Sequence, residues 1–280
     1  MKKHAFFPVF AIVGGIVAFV LRLLQNRTGF ESYTGLPFSG NVPGLLLVVW
    51  LIALTVLLVL LTRCLPKECD AGPAFPAAFA ASEPKLLVLP VMGILLMALA
   101  GLADLYESFG LGNLLVQLQS AANPYAEISA AASGFSGKLQ LLLGIFSLAS
   151  AAALFLSVTA CRKANTAYSP SLLLVPPVVL VVRLVLTYRL DSVNPALEAY
   201  YVELLALVFL TLGFYRLSSF AFQAGRTNRF FLYSCAAVIL SFASLADVGP
   251  HLSTLLVHAG GAVTLLGFLL LRLSHMEDDA

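Results

Sequence analysis

Residues Pro43 to Thr62 read PGLLLVVWLIALTVLLVLLT, twenty consecutive positions without a charged side chain. A helix needs about 20 such positions, at 1.5 Å of rise each, to cross roughly 30 Å of hydrocarbon, so this stretch is long enough to span a bilayer. The run is continuously apolar, whereas a membrane barrel strand would alternate, so the spanning form is a helix. Working outward, seven further stretches behave alike: Phe7 to Leu24, Leu86 to Tyr106, Leu139 to Ala160, Leu172 to Leu190, Glu198 to Leu217, Phe230 to Ala246 and Leu252 to Leu271. The expected fold is all-α, a polytopic membrane helix bundle of about eight transmembrane helices. It forms a single integral membrane domain over 1–280.

The composition of the whole chain agrees. Of 280 residues 60% are hydrophobic and only 11% charged, and the mean hydropathy is +0.95. A water-soluble enzyme, a nucleic-acid binder, a disordered tail and a disulfide-rich secreted domain each need a polar exterior or a cysteine density that this chain lacks. The net charge of +2 is too small to imply an acidic partner.

Lys and Arg set the orientation. With the N-terminus inside, eleven of them fall in inner segments: Lys2, Lys3, Arg63, Lys67, Lys85, Arg162, Lys163, Arg216, Arg226, Arg229 and Arg272. Arg22, Arg27, Lys138 and Arg189 fall outside, and Arg183 is left within the bilayer. The expected setting is a cell membrane, with both termini cytoplasmic and the lipid bilayer as the first partner. Lys2-Lys3 before an apolar run also begins a signal peptide, but Arg22 and Arg27 follow where an A-x-A site would stand, so the first span reads as uncleaved. Cys64, Cys69, Cys161 and Cys235 all lie toward the reducing inner side and read as thiols. The alternative, a four-thiolate zinc site, lacks the x2 spacing of compact knuckles.

A charge in hydrocarbon costs roughly 2.5 to 3.5 kcal/mol on insertion scales unless it is paired or hydrated, so each one needs a partner. Arg183 falls about twelve residues into the fifth span, or about 18 Å along it, and Glu203 five residues into the sixth as the chain returns. An Arg183 to Glu203 ion pair between sequential neighbours is the expected arrangement. Arg22, Asp104 and Asp247 end their spans near the outer interface, where a carboxylate is usually solvated. Tyr188, Arg189, Asp191, Asn194, Glu198, Tyr200 and Tyr201 crowd the turn between spans five and six. On one reading these groups line a hydrated outward-facing pocket for a small-molecule solute, with Arg183, Glu203, Tyr188, Tyr200, Tyr201, Asp247, Asp104 and Arg22 as its binding set. On the other, Arg183 and Glu203 form a structural lock within an aromatic belt.

Several weaker features complete the reading. The Ala- and Pro-rich loop from Arg63 to Lys85 reads as a flexible connector, and Leu111, Leu114, Leu115 and Leu118 as a surface helix, either a lid or a simple connection. Pro90 and the pair Pro176-Pro177 stand inside spans and are expected to kink them. The halves correspond in order: Val20-Leu21-Arg22-Leu23 with Val182-Arg183-Leu184, Arg63 with Arg216, and Leu102-Ala103-Asp104 with Leu245-Ala246-Asp247. That order suggests parallel four-helix repeats over 1–162 and 170–275. Without a phosphate-binding glycine loop, a dinucleotide fingerprint or H-E-x-x-H, no cofactor is expected.

Gly134-Phe135-Ser136-Gly137 and His258-Ala259-Gly260-Gly261 resemble the serine and histidine motifs of rhomboid intramembrane proteases, which implies Ser136 and His258 as nucleophile and base. Three helices separate the two motifs here where rhomboids have one, and no H-x-x-x-N motif appears in the second span. The stretch from Thr28 to Pro37, TGFESYTGLP, with Arg183, Tyr188 and Tyr215-Arg216, resembles uncharacterised multi-pass proteins of Gram-positive bacteria. That resemblance implies a bacterial cell membrane and no particular activity. The leading functional expectation is small-solute binding and passage; the competing one is a structural or signalling subunit whose face with Arg216, Arg226 and Arg229 docks a cytoplasmic partner.

The orientation is directly testable. A membrane-impermeant maleimide is expected to modify Cys64 and Cys69 in inverted vesicles and to leave them untouched on whole cells; the opposite pattern reverses the topology.

Overall fold

In a computed structural model of the chain, residues 6–31, 37–38, 40–63, 75–80, 84–109, 137–163, 169–191, 197–247 and 252–278 are described. Among the described residues the helices are α1 (Phe6–Thr28), α2 (Val42–Arg63), the four-residue α3 (Phe75–Ala78), α4 (Val88–Ser108), α5 (Gly137–Lys163), α6 (Val175–Asp191), α7 (Leu197–Ala221), α8 (Thr227–Ser244) and α9 (Leu252–Asp278). Short 3₁₀ turns, Pro84–Leu87 and Pro170–Leu174, lead into α4 and α6. All eight expected spans are helices, four of them (α1, α2, α5 and α7) longer at both ends than the apolar runs themselves. The chain is an all-α, membrane-spanning bundle. The long helices alternate in direction, and the end at which α1 finishes is called the upper end below.

Seven of the eight long helices are apolar and long enough to cross a membrane. The exception is α8, which begins Thr227-Asn228-Arg229 and contains Ser234, Ser241 and Ser244. Its position explains the difference. It packs on α1, α2, α7 and α9 and is buried along most of its length, so its side chains meet protein rather than lipid. The peripheral helix α2 is the opposite case: most of its side chains are exposed, whereas most of those on α9 are buried.

The peripheral helices are inside-out relative to those of soluble proteins. On α1 the inward positions are Phe7, Ala11, Gly14, Gly15, Ala18, Arg22 and Gln25, mostly small or polar, while Val9, Val13, Ile16, Val20 and Leu24 face outward. Lipid is as apolar as leucine, so what draws helices together is close packing and internal hydrogen bonding. The tightest seam joins α4 to α9. A Cβ added at Gly93 would stand 2.5 Å from the Thr264 amide nitrogen, and one at Gly260 2.8 Å from the Gly93 carbonyl oxygen. On its other side α4 meets α5 through Gly101 and Gly144, each within 3.0 Å of the other's carbonyl oxygen on the same construction.

Two expectations change here. Pro90 and Pro176-Pro177 occupy the first turns of α4 and α6, behind the 3₁₀ turns, where a missing N–H has no helical acceptor to lose; they start helices rather than kink them. The Arg63 to Lys85 loop is also more than a flexible connector. Within it α3 and Phe79 are anchored at the lower end, with Phe75 and Phe79 buried among Phe220, Phe230 and Phe268 at centroid distances of 5.1 to 6.1 Å. Arg272 of α9 donates to the Ala78 carbonyl and to Thr227 Oγ1, both at 3.2 Å, and lies over the Phe220 ring. Cys161 and Cys235 are buried free thiols, whereas Cys64, Cys69 and the Leu111 to Leu118 helix lie outside the described residues.

The glycine seam should respond to single methyl groups. Gly93→Ala, which meets backbone, is expected to lose about 1 to 3 kcal/mol of stability, whereas Gly14→Ala, which meets only the ends of Leu54 and Ile239, should change it by less than about 1 kcal/mol. Thermal denaturation in detergent distinguishes them, and equal losses would show that the α4–α9 contact is not limiting.

Candidate ligand cleft and the buried ion pairs

Arg183 is 2% exposed and its guanidinium binds Asp104, itself 1% exposed, through a charge-assisted hydrogen bond from Nη2 to Oδ2. The expected partner, Glu203, is not the one used. Glu203 is half-buried on α7, but the carboxylate that faces Arg183 comes from α4. Neither carboxylate at a helix end is merely solvated. Asp247 stands just past α8 with 12% of its side chain exposed and accepts from Arg22 Nε at 2.6 Å; Arg22 is wholly buried. Asn26 donates to Asp247 Oδ1 at 2.9 Å and to the Ala246 carbonyl at 3.0 Å. Burial pushes the Asp247 carboxyl above its ordinary value, and the charge and hydrogen bonds of Arg22 and Asn26 draw it back down.

The two pairs cross between the halves of the chain. Arg22 of α1 reaches the end of α8, and Arg183 of α6 reaches α4. His258 on α9 is 1% exposed, and among the described residues neither of its ring nitrogens has a hydrogen-bond partner. Gly260 and Gly261, its neighbours in the rhomboid-like motif, press on α4 and on Leu210. Ser136 lies outside the described residues, as does Asn194.

Open space lies elsewhere, between α1, α2 and α7 at the upper end. A cleft of about 680 Å³ is lined by Gln25, Pro37, Phe38, Gly40, Asn41, Val42, Gly44, Leu45, Val48 and Tyr201. Each polar wall residue is placed by its local structure. Asn41 caps α2, its Oδ1 accepting from the Gly44 N–H at 3.0 Å, as asparagine does at helix starts. Gly29 and Gly44 leave room for that amide and for Gln25; a Cβ at either would come within 3.0 Å of them. Gln25 Oε1 accepts from Arg22 Nη1 at 2.8 Å, and Arg22 lies 5.5 Å above the Tyr201 ring. The Arg22–Asp247 pair therefore stands directly behind the cleft wall.

Of the residues singled out in sequence, Arg22, Asp247 and Tyr201 come together at or behind this cleft. Tyr200 and Glu203 share α7 with Tyr201 and do not line it, Tyr188 is exposed on α6, and Arg183 with Asp104 forms a separate buried pair. Gln25, Asn26 and Asn41 were not singled out. Their signal was available: two amides three and four residues beyond a buried arginine, and an asparagine directly before an apolar run.

A scan against protein-family models, a search of curated proteins and a search of solved structures each return no match.

The Arg183–Asp104 pair gives a double-mutant prediction. Arg183→Leu or Asp104→Leu alone leaves a buried charge and should cost about 3 to 5 kcal/mol, while the double replacement should recover most of that loss. Additive losses in denaturation measurements would show that the two groups are not coupled.

Proposed function

We propose that the chain is a multi-pass protein of the cell membrane, termini cytoplasmic, that binds a small solute in the upper cleft and passes it onward. The observation that carries this reading is the cleft itself: space of about 680 Å³ whose mainly apolar wall carries the amides of Gln25 and Asn41 and the side chain of Tyr201. The Lys and Arg distribution puts this end outside. Gln25, Asn41 and Tyr201 contact the ligand. The Arg22–Asp247 pair holds their frame, while Arg183–Asp104 acts as a lock between helices and leaves the binding set. Tyr188 has no part in the cleft.

A second reading draws support from the lower rim, where Arg63, Lys85, Arg162, Arg226 and Arg229 are all exposed. A subunit docking a cytoplasmic partner would use that face, and purification in gentle detergent would bring the partner with it.

For the cleft reading, purified protein is heated with amino acids, sugars, nucleosides, carboxylic acids and acyl lipids in turn. A true ligand at 100 times its dissociation constant adds about 2.7 kcal/mol of stability. That gain should vanish in Tyr201→Ala and persist in Tyr188→Ala. If no compound stabilises the protein, or if the gain ignores Tyr201, the cleft is not a ligand site.

A further inference from the structure

A second, apolar space adjoins the cleft. Val48 and Tyr201 also border this space of about 310 Å³, which continues down the outer face of α8 between α2 and α7. Its lining on α2 runs from Val48 to Leu58, about 15 Å of helix at 1.5 Å per residue. Across from it stand Leu205 and Phe209, with Ala236, Ile239 and Leu240 as the floor. Thr55 contributes a hydroxyl, but that group already donates to the Leu51 carbonyl at 2.8 Å, so it offers an incoming group little. The groove opens sideways, since Ile52, Val56 and Leu205 are exposed on the face the bundle turns to lipid.

A cleft that carries the amides of Gln25 and Asn41, bordered at Val48 and Tyr201 by an apolar groove of this length, matches one ligand architecture. We infer that the site takes an acyl lipid, its hydroxyl-bearing head in the cleft among Gln25, Asn41 and Tyr201 and one acyl chain in the groove. The inference rests on the cleft being a ligand site and names what enters it. An uncharged head fits because the arginine behind the wall is already matched by Asp247, which leaves recognition to hydrogen bonds. Entry is lateral, from the leaflet at the upper end, so the chain need never leave hydrocarbon.

The test uses full-length protein in phosphatidylcholine nanodiscs with a diacylglycerol analogue carrying a photoactivatable group in mid-chain. Labelling is expected to favour α2 and α7 around Thr55 and Leu205 over the equally lipid-exposed α6 around Val181 and Val185. The expected ratio is about tenfold, which corresponds to roughly 1.4 kcal/mol of preference. Leu205→Trp, or Ile52→Trp if the first variant folds poorly, should fill the groove and bring labelling down to the α6 level. Equal labelling of all lipid-facing helices, untouched by either tryptophan, would overturn the proposal by showing ordinary boundary lipid. A water-soluble compound whose binding needs Tyr201 but ignores both tryptophans would also overturn it, while leaving the cleft reading intact.

Discussion

A guanidinium in hydrocarbon must be neutralised where it stands, and this chain meets that requirement twice with carboxylates from distant parts of its sequence. Arg22 lies on α1 and Asp247 just past α8; Arg183 lies on α6 and Asp104 on α4. Each pair joins one of the first four long helices to one of the last four. In so apolar an environment either partner alone would be costly, so the pairs fix which helices can be neighbours. Ordinary apolar packing could not specify this, because the outward faces of α1, α2, α4 and α6 carry interchangeable Val, Leu and Ile.

Much of the fold was legible because bilayer thickness forces long apolar runs, and such runs are visible without knowing any neighbour. The location of costly charge was legible for the same reason: Arg183, Arg22, Asp104 and Asp247 all stand out by position. Their pairing was not. Reasoning from chain order joins Arg183 to Glu203 because their helices are sequential, yet contact in a bundle depends on facing, and the carboxylate that faces Arg183 belongs to α4. The open space followed the same logic. It sits at Gln25, Asn41 and Tyr201, between α1, α2 and α7, whereas Arg183 and Asp104 are buried in the bundle.

The anchored segment around α3 was hidden for a different reason. Phe75 and Phe79 lie in an Ala- and Pro-rich loop and form only one helical turn, too little for any periodic signal. What stabilises that turn is the set of rings beneath it on α7, α8 and α9, which no local window contains. Helix α8 was read as a span from its apolar centre, although burial on nearly every side, rather than hydropathy, accounts for its place.

The attachment of α3 makes the two ends of the bundle mechanically unequal. Arg272 grips the Ala78 carbonyl from α9 and Thr227 from α8, while the Phe79 ring is wedged between α7, α8 and α9. Those three helices cannot turn against one another at that end without withdrawing a benzyl group from its slot. Any rotation of α7 against α8 and α9 at that end must therefore first free the Phe79 ring.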